Sequence, residues 1–78
     1  MSEVETSAVA SEIVFMVSEA DEGGYVAEAL GPGIVTEADD LATLRSMVRE
    51  AVACHYQDAK QRPSVIRLHF VRDEIIAA

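Results

Sequence analysis

Apolar and polar residues follow two different periods along this chain, and the change of period divides it into strands and a helix. Residues 13–17 are continuously apolar and rich in β-branched side chains, which is typical of a strand covered on both faces. Alternation over residues 25–30 predicts a second strand, joined to the first by a hairpin turn at residues 21–24. Residues 34–36 predict a brief third strand after the break at Gly31-Pro32-Gly33.

A helical period follows the third strand. Asp40 is the predicted N-cap, because its carboxylate can accept hydrogen bonds from first-turn amides. The helix is expected to fade at residues 58–60 and to end at residues 61–63. The predicted buried stripe of the helix consists of Leu41, Leu44, Val48, Ala51 and His55. The residues that flank this stripe are Met47, Val52 and Cys54.

Residues 65–71 return to the alternating period and predict a fourth strand, with Ile66, Leu68 and Phe70 on one face. The order is therefore β-β-β-α-β, an α+β fold. A meander of three strands followed by a right-handed helical crossover lays the fourth strand beside the first, which predicts a mixed sheet of order 3-2-1-4. One helix covers one face of such a sheet, here including the Leu68 face of the fourth strand.

From the uncovered opposite face of the sheet we predict homodimerisation. Apolar residues of strands one and four would be exposed there, and strand four would carry unpaired backbone groups at the sheet edge. Association through this face would also enlarge a core that is small in so short a chain. The residues predicted to form this interface are Glu28, Val65, Arg67, His69 and Val71. Glu28 would lie across the two-fold axis from Arg67 and His69 and serve as their counter-charge.

Composition places the chain among small folded proteins. Its 78 residues suffice for one domain, which we assign to residues 12–78 after a disordered tail at residues 1–11. The lone Cys54 fits a reducing cytoplasm and a buried role. Apolar runs are short and the N-terminus lacks a cationic opening, so we expect a cytoplasmic protein with neither a membrane segment nor a signal peptide.

Charge is distributed unevenly. Residues 1–40 carry ten carboxylates and no Lys or Arg, whereas residues 41–78 carry all six basic residues and four acids. With a net charge of −8, the chain would repel phosphate, so we expect no direct binding of nucleic acid. A basic partner would be attracted, although such acidity also serves solubility alone.

Three motifs together resemble the HicB-like antitoxin family: residues 22–27 (EGGYVA), residues 33–36 (GIVT) and residues 39–41 (DDL), which open the helix. The resemblance covers residues 12–71. It implies a partial ribonuclease-H-like fold, a dimer or tetramer, and a role in covering a basic, RNA-cleaving HicA toxin. Such antitoxins bind operator DNA through an added C-terminal domain, which we do not expect here, because the chain ends seven residues after Val71.

Catalytic chemistry is not favoured by the pattern, and we expect no enzyme activity, cofactor or metal. A nuclease needs clustered carboxylates on the sheet, but residues 13–17 contain none and Glu28 stands alone mid-strand. Cys54 and His55 are adjacent on the helix and diverge by about 100°. His55 is interpreted as an edge-of-core residue. The glycine turns match no phosphate loop, and the pair Arg45 and Arg49 is interpreted as a solvated helix face.

Three functions remain open at the level of sequence. The first is a HicB-like regulatory homo-oligomer that binds a basic protein. The second is a small-ligand-binding or enzyme-accessory domain, since some short proteins of this appearance carry the label 2-oxoisovalerate dehydrogenase E1 subunit beta; a thiamine-diphosphate enzyme itself needs a far larger scaffold. The third is an interaction module without any toxin.

Overall fold

The strands and the helix follow one another as the sequence predicts. The computed structural model describes residues 11–78, so most of the predicted tail at residues 1–11 lies outside the described part. The elements, in chain order, are β1 (Glu12–Glu19), β2 (Tyr25–Ala29), β3 (Val35–Ala38), α1 (Leu41–His55) and β4 (Val65–Phe70). The sheet order is β3-β2-β1-β4, which confirms the predicted topology.

Strand β1 lies at the centre because both of its edges are paired. It runs antiparallel to β2, with Phe15 opposite Ala29, and parallel to β4, with Phe15 opposite Leu68. Ser11 extends the contact with β4, since its carbonyl accepts from the amides of Ser64 and Val65 at 3.1 Å each. Continuous apolar residues in β1 therefore fit a strand with neighbours on both sides.

The β1–β2 hairpin depends on two glycines with positive φ. Gly23 and Gly24 have φ values of 100° and 82°, in the left-handed region that side chains rarely adopt. A Cβ atom on Gly24 would also lie 2.8 Å from the carbonyl oxygen of Ala38. Gly24 thus lets the hairpin pass close to the end of β3.

Asp40 caps α1, as predicted. Its carboxylate accepts from the backbone amide of Thr43 at 2.7 Å and from the Thr43 hydroxyl at 3.1 Å. The hydrogen bond from the Thr43 amide has the larger effect and the one from the Thr43 hydroxyl the smaller. Together they hold the pKa of the Asp40 carboxyl below its usual value of 3.8. The cap fixes where the helix begins after β3.

The helix ends at His55, earlier than the predicted fade at residues 58–60. Tyr56 leaves the helical region, with φ −109° and ψ 81°, while its amide still donates to the carbonyl of Val52. Its own carbonyl then accepts from Arg62 Nε at 3.1 Å, and the Asp58 carboxylate accepts from the Lys60 amide at 3.0 Å. Polar side chains of the following loop therefore bind backbone groups that would otherwise continue the helical hydrogen bonds.

The core lies between α1 and one face of the sheet. Phe15 and Leu44 are fully buried at its centre. The predicted stripe was wrong in its last turn: Val52, placed on the flank, is buried, whereas His55 and Cys54 are exposed. The reason is geometric, because residues spaced by four form the contacting ridge, and this ridge continues from Leu44 and Val48 to Val52. The His55 ring instead packs edge-on against Tyr56, with centroids 4.8 Å apart.

Strand β3 occupies Val35–Ala38, two residues beyond the predicted end at residue 36. Ile34 precedes it and is buried in the core, but its backbone belongs to the connection from β2. Its amide donates to the carbonyl of Pro32, and its carbonyl accepts from the amide of Ala29, both at 2.9 Å. These local hydrogen bonds keep Ile34 in the connection from β2, so β3 begins and ends later in the sequence than predicted.

Helix α1 lies over β2 and β3 and does not reach across β4. The expectation that it covers the Leu68 face of β4 is therefore only partly correct. Ile66 and Leu68 are half-buried, and Phe70 is 51% exposed on the same face. A helix about 10 Å wide spans little more than two strands spaced about 4.8 Å apart, so an off-centre helix leaves the far strand open.

Candidate functional site

The sheet face opposite α1 is covered by no element of residues 11–78, and we call it the open face. Alternation in each strand and the registers between strands place the same side of all four strands there. Its residues are Glu12, Val14, Met16 and Ser18 from β1, Val26 and Glu28 from β2, Leu30 just after β2, Val35 and Glu37 from β3, and Val65, Arg67 and His69 from β4.

The centre of the open face is apolar. Val14 is half-buried, and Met16 is 39% exposed although it lies in the central strand. Leu30, Val35 and Val65 surround them with exposed side chains. Exposed or half-buried apolar side chains therefore occur on every strand of this face, between its charged residues.

One charged residue of the open face, Arg67, has a partner within the chain. Arg67 Nε donates to Glu12 Oε2 at 2.8 Å, so Glu12 is its partner within the chain. Glu28 is opposite Met16, which is opposite His69, so Glu28 and His69 lie two strands apart, at about 10 Å. Glu28 could therefore meet Arg67 or His69 only as a residue of a second copy.

The predicted interface residues do not all have the same environment. Val65, Arg67 and His69 are exposed on the open face of β4, and Glu28 is exposed on β2. Val71 is half-buried just after β4, and its amide donates to the carbonyl of Val17 at 2.8 Å. The structure thus brings four of these side chains to the surface and holds the fifth against the end of β1.

Acidic residues gather at the end of the sheet where β1 and β3 finish. Glu19 ends β1, and Asp21 and Glu22 form the turn that follows it. The close approach of Gly24 to Ala38 and Asp39 brings the end of β3 to this turn. The uneven charge of the sequence therefore becomes an acidic end of the folded domain, at the end of the sheet where β1, β3 and β4 finish.

A groove between α1 and β4 was not anticipated from the sequence. It has a volume of about 420 Å³ and lies on the helix side of the sheet, away from the open face. Arg45 and Arg49, interpreted from sequence as a solvated face, stand at its rim. The positions of Arg45 and Arg49 on either side of buried Val48 were the only feature of the sequence that could have indicated the groove. The groove itself exists only because α1 lies off centre on the sheet. Its lining consists of Arg45, Val48, Arg49, Pro63, Ser64, Ile66 and Leu68.

Residues 11–78 contain no group of three or more His, Cys, Asp and Glu side chains placed to hold a metal ion. In the same part of the chain, no helix has the length and apolar character needed to cross a membrane. Neither finding adds a candidate site to the open face and the groove.

Comparison with known proteins identifies relatives but no described function. No family model matches the chain, and no solved structure matches it. A UPF0150 protein of Archaeoglobus fulgidus is 43% identical over 53 residues, covering 68% of this chain and 77% of the relative. A UPF0150 protein of Thermotoga maritima is 35% identical over 66 residues, covering 85% of this chain and 91% of the relative. The chain therefore belongs to the family of UPF0150 proteins.

Proposed function

We propose that this protein is a non-enzymatic, protein-binding regulatory module of the HicB antitoxin type, which forms homo-oligomers and engages a basic protein partner such as a HicA-like toxin. The observation that carries the proposal is the open face. Met16 remains 39% exposed in the central strand, between Glu28 and His69 on the adjacent strands, with Val14 and Leu30 as its apolar neighbours on the same face. Covering this apolar surface with a second protein removes it from water, which favours association.

The two halves of the open face suit two different contacts. The β1–β4 half carries Val14, Val65 and the Glu12–Arg67 pair, together with a free strand edge. A two-fold contact there pairs the edge and extends the core. This half is therefore assigned to the homodimer.

The β2–β3 half of the open face carries acidic charge only. Glu28 and Glu37 lie there beside exposed Leu30 and Val35, with no Lys or Arg in residues 1–40 to offset them. Opposite charge speeds association and orients the partner, while the apolar side chains supply buried area. A basic protein fits this half, and the resemblance of residues 22–27 and 33–36 to HicB antitoxins supports a HicA-like toxin as that protein.

Sedimentation velocity of the full chain tests the dimer. The wild type is expected to dimerise, and Met16→Glu is expected to weaken dimerisation at least about tenfold, because a carboxylate would have to be desolvated in the contact. Ala42→Glu is the matched control, since it adds the same charge at an exposed position of α1. Equal dimerisation of Met16→Glu and the control would overturn the assignment of the open face.

Co-expression tests the partner. A basic, HicA-like protein encoded beside this gene is expected to arrest growth alone, and co-expression of the wild-type chain is expected to restore it. Glu28→Lys with Glu37→Lys is expected to abolish the rescue, whereas Glu50→Lys with Asp58→Lys, the same change at exposed positions outside the open face, preserves it. Absence of such a neighbour, or rescue that is indifferent to the open face, would contradict the proposal.

A further inference from the structure

The C-terminal segment leaves two large apolar side chains without a surface to pack on. Ile75 is 94% exposed and Ile76 is 78% exposed, whereas the other large apolar residues of residues 11–78 are at most 63% exposed. Asp73 and Glu74 precede them, so four successive residues combine two acids with two isoleucines. We call residues 73–76 the tail motif.

The tail motif begins among other carboxylates of its own chain. Asp73 and Ile75 line a surface depression together with Glu19 and Asp21, at the acidic end of the domain. Arg72 is the single basic residue among those lining it. Like charges placed close together repel, so the tail motif gains little by remaining there.

The groove between α1 and β4 has the complementary composition. Ile66 and Leu68 form an apolar floor that the helix leaves half-buried, and Arg45 and Arg49 stand at the rim. Arginine side chains one turn apart match two successive carboxylates in charge and can bind each of them through two N–H groups.

From this complementarity we infer that the groove between α1 and β4 is a binding site for the tail motif of a second copy of this chain. Asp73 and Glu74 then lie against Arg45 and Arg49, and the two isoleucines pack on the floor of the groove. The inference goes beyond the proposed function, because it uses the helix side of the sheet and does not depend on the open face.

The geometry favours exchange between copies over docking within one chain. The groove is lined by residues 63–68, toward the beginning of β4, whereas the tail leaves the opposite end of that strand. The amide of Val71 donates to the carbonyl of Val17, which holds the chain alongside β1 just before the tail motif. A tail entering its own groove would have to reverse within two residues, whereas reciprocal exchange gives two equal contacts about a two-fold axis.

Charge reversal on full-length chains tests the exchange. Arg45→Glu with Arg49→Glu makes the groove acidic, and Asp73→Lys with Glu74→Lys makes the tail basic. Both double variants are made in the Met16→Glu chain, in which the open face no longer favours association. Each double variant is expected to self-associate at least about tenfold more weakly than Met16→Glu itself in sedimentation velocity. Net charge does not explain both losses, since one double variant is more acidic than Met16→Glu and the other less acidic by the same amount.

Mixing the two double variants is the decisive measurement. In the mixture, each groove faces a tail of opposite charge, so association is expected to return to the level of Met16→Glu itself. Failure of the mixture to associate, or association of either double variant alone as strong as that of Met16→Glu, would overturn the inference. Because every chain in this test carries Met16→Glu, the inference and the proposed function fail separately.

The apolar half of the tail motif has its own matched control. Ile75→Ser with Ile76→Ser is expected to weaken self-association about tenfold, whereas Ala77→Ser with Ala78→Ser is expected to leave it unchanged. All four residues are exposed, so these variants keep the domain folded, which circular dichroism verifies. Equal behaviour of the two pairs would contradict the packing of isoleucine in the groove.

Discussion

Strand β1 presents an apolar residue pattern to both faces of the sheet, but only one face is buried. Ile13, Phe15 and Val17 are at most 3% exposed beneath α1. On the other face, Val14 is half-buried and Met16 is 39% exposed. The contrast shows that the apolar character of this strand determines what it can bury, whereas the placement of the helix determines what the single chain does bury.

The same contrast recurs between the two edges of the sheet on the helix side. At the β3 edge, α1 lies close and Ala38 is packed against the core. At the β4 edge, Phe70 is 51% exposed and a groove replaces helix contact. Incomplete coverage by one helix thus produces both surfaces that we assign to binding.

The largest expected effect in the comparison comes from neighbouring residues of β1. Phe15→Ala is expected to lower the free energy of unfolding by about 3–5 kcal/mol, because it opens a cavity at the centre of the core. Met16→Ala is expected to lower it by less than about 1 kcal/mol in dilute solution, since the open face is then solvated. Urea titrations of both variants provide the values.

Equal losses for these two variants in dilute solution would break the comparison. A loss for Met16→Ala that grows with protein concentration would sharpen it, because mass action then adds the stability of the open-face dimer to that of the fold.

A smaller effect is expected at the cap of the helix that covers the core. The pKa of Asp40 is lowered in the folded chain, so its charged form contributes stability that is present above its unfolded pKa and lost as the pH falls through the folded value. Asp40→Asn keeps an acceptor for Thr43 but removes the charge. Thermal melts are expected to give a lower Tm for Asp40→Asn at neutral pH, with the difference closing below pH 3.8.

Asp39→Asn is the control for the cap, because it removes a neighbouring charge without changing the Thr43 hydrogen bonds of Asp40. A pH-dependent Tm difference of the same size for Asp39→Asn would show that general charge repulsion, and not the cap, is responsible.

The smallest effect concerns the ion pair on the open face. Glu12 and Arg67 have side chains that are 35% and 63% exposed, so their coupling energy in the single chain is expected to be about 0–1 kcal/mol and to fall with added salt. A double-mutant cycle with Glu12→Gln and Arg67→Met measures it. A matched cycle with Glu28→Gln is expected to give no coupling in dilute solution.

Coupling between Glu28 and Arg67 that appears only at high protein concentration would support the contact between copies. Coupling of Glu12 and Arg67 well above about 1 kcal/mol in dilute solution would show that the open face is not solvated, and would break the comparison of the two faces.

Local patterns predicted the elements that depend on nearby residues. The Asp40 cap, the hairpin glycines and the alternation of Ile66 and Leu68 with Arg67 each act within a few positions, and all appear in the fold. The errors lie where longer contacts compete. Val52 is buried in place of His55, and the helix ends before residues 58–60, because loop side chains bind the backbone.

The sequence by itself therefore determined the order of elements, the sheet order, and which side chains share each face, since these follow from period and connection handedness. The ion pair of Arg67 with Glu12 appears only in the fold. Only the tertiary structure decided where α1 lies across the sheet, and with it the groove of Arg45 and Arg49. The reason is that a helix narrower than four strands can lie over either half of the sheet. That choice depends on the packing of all core side chains together and not on any local pattern.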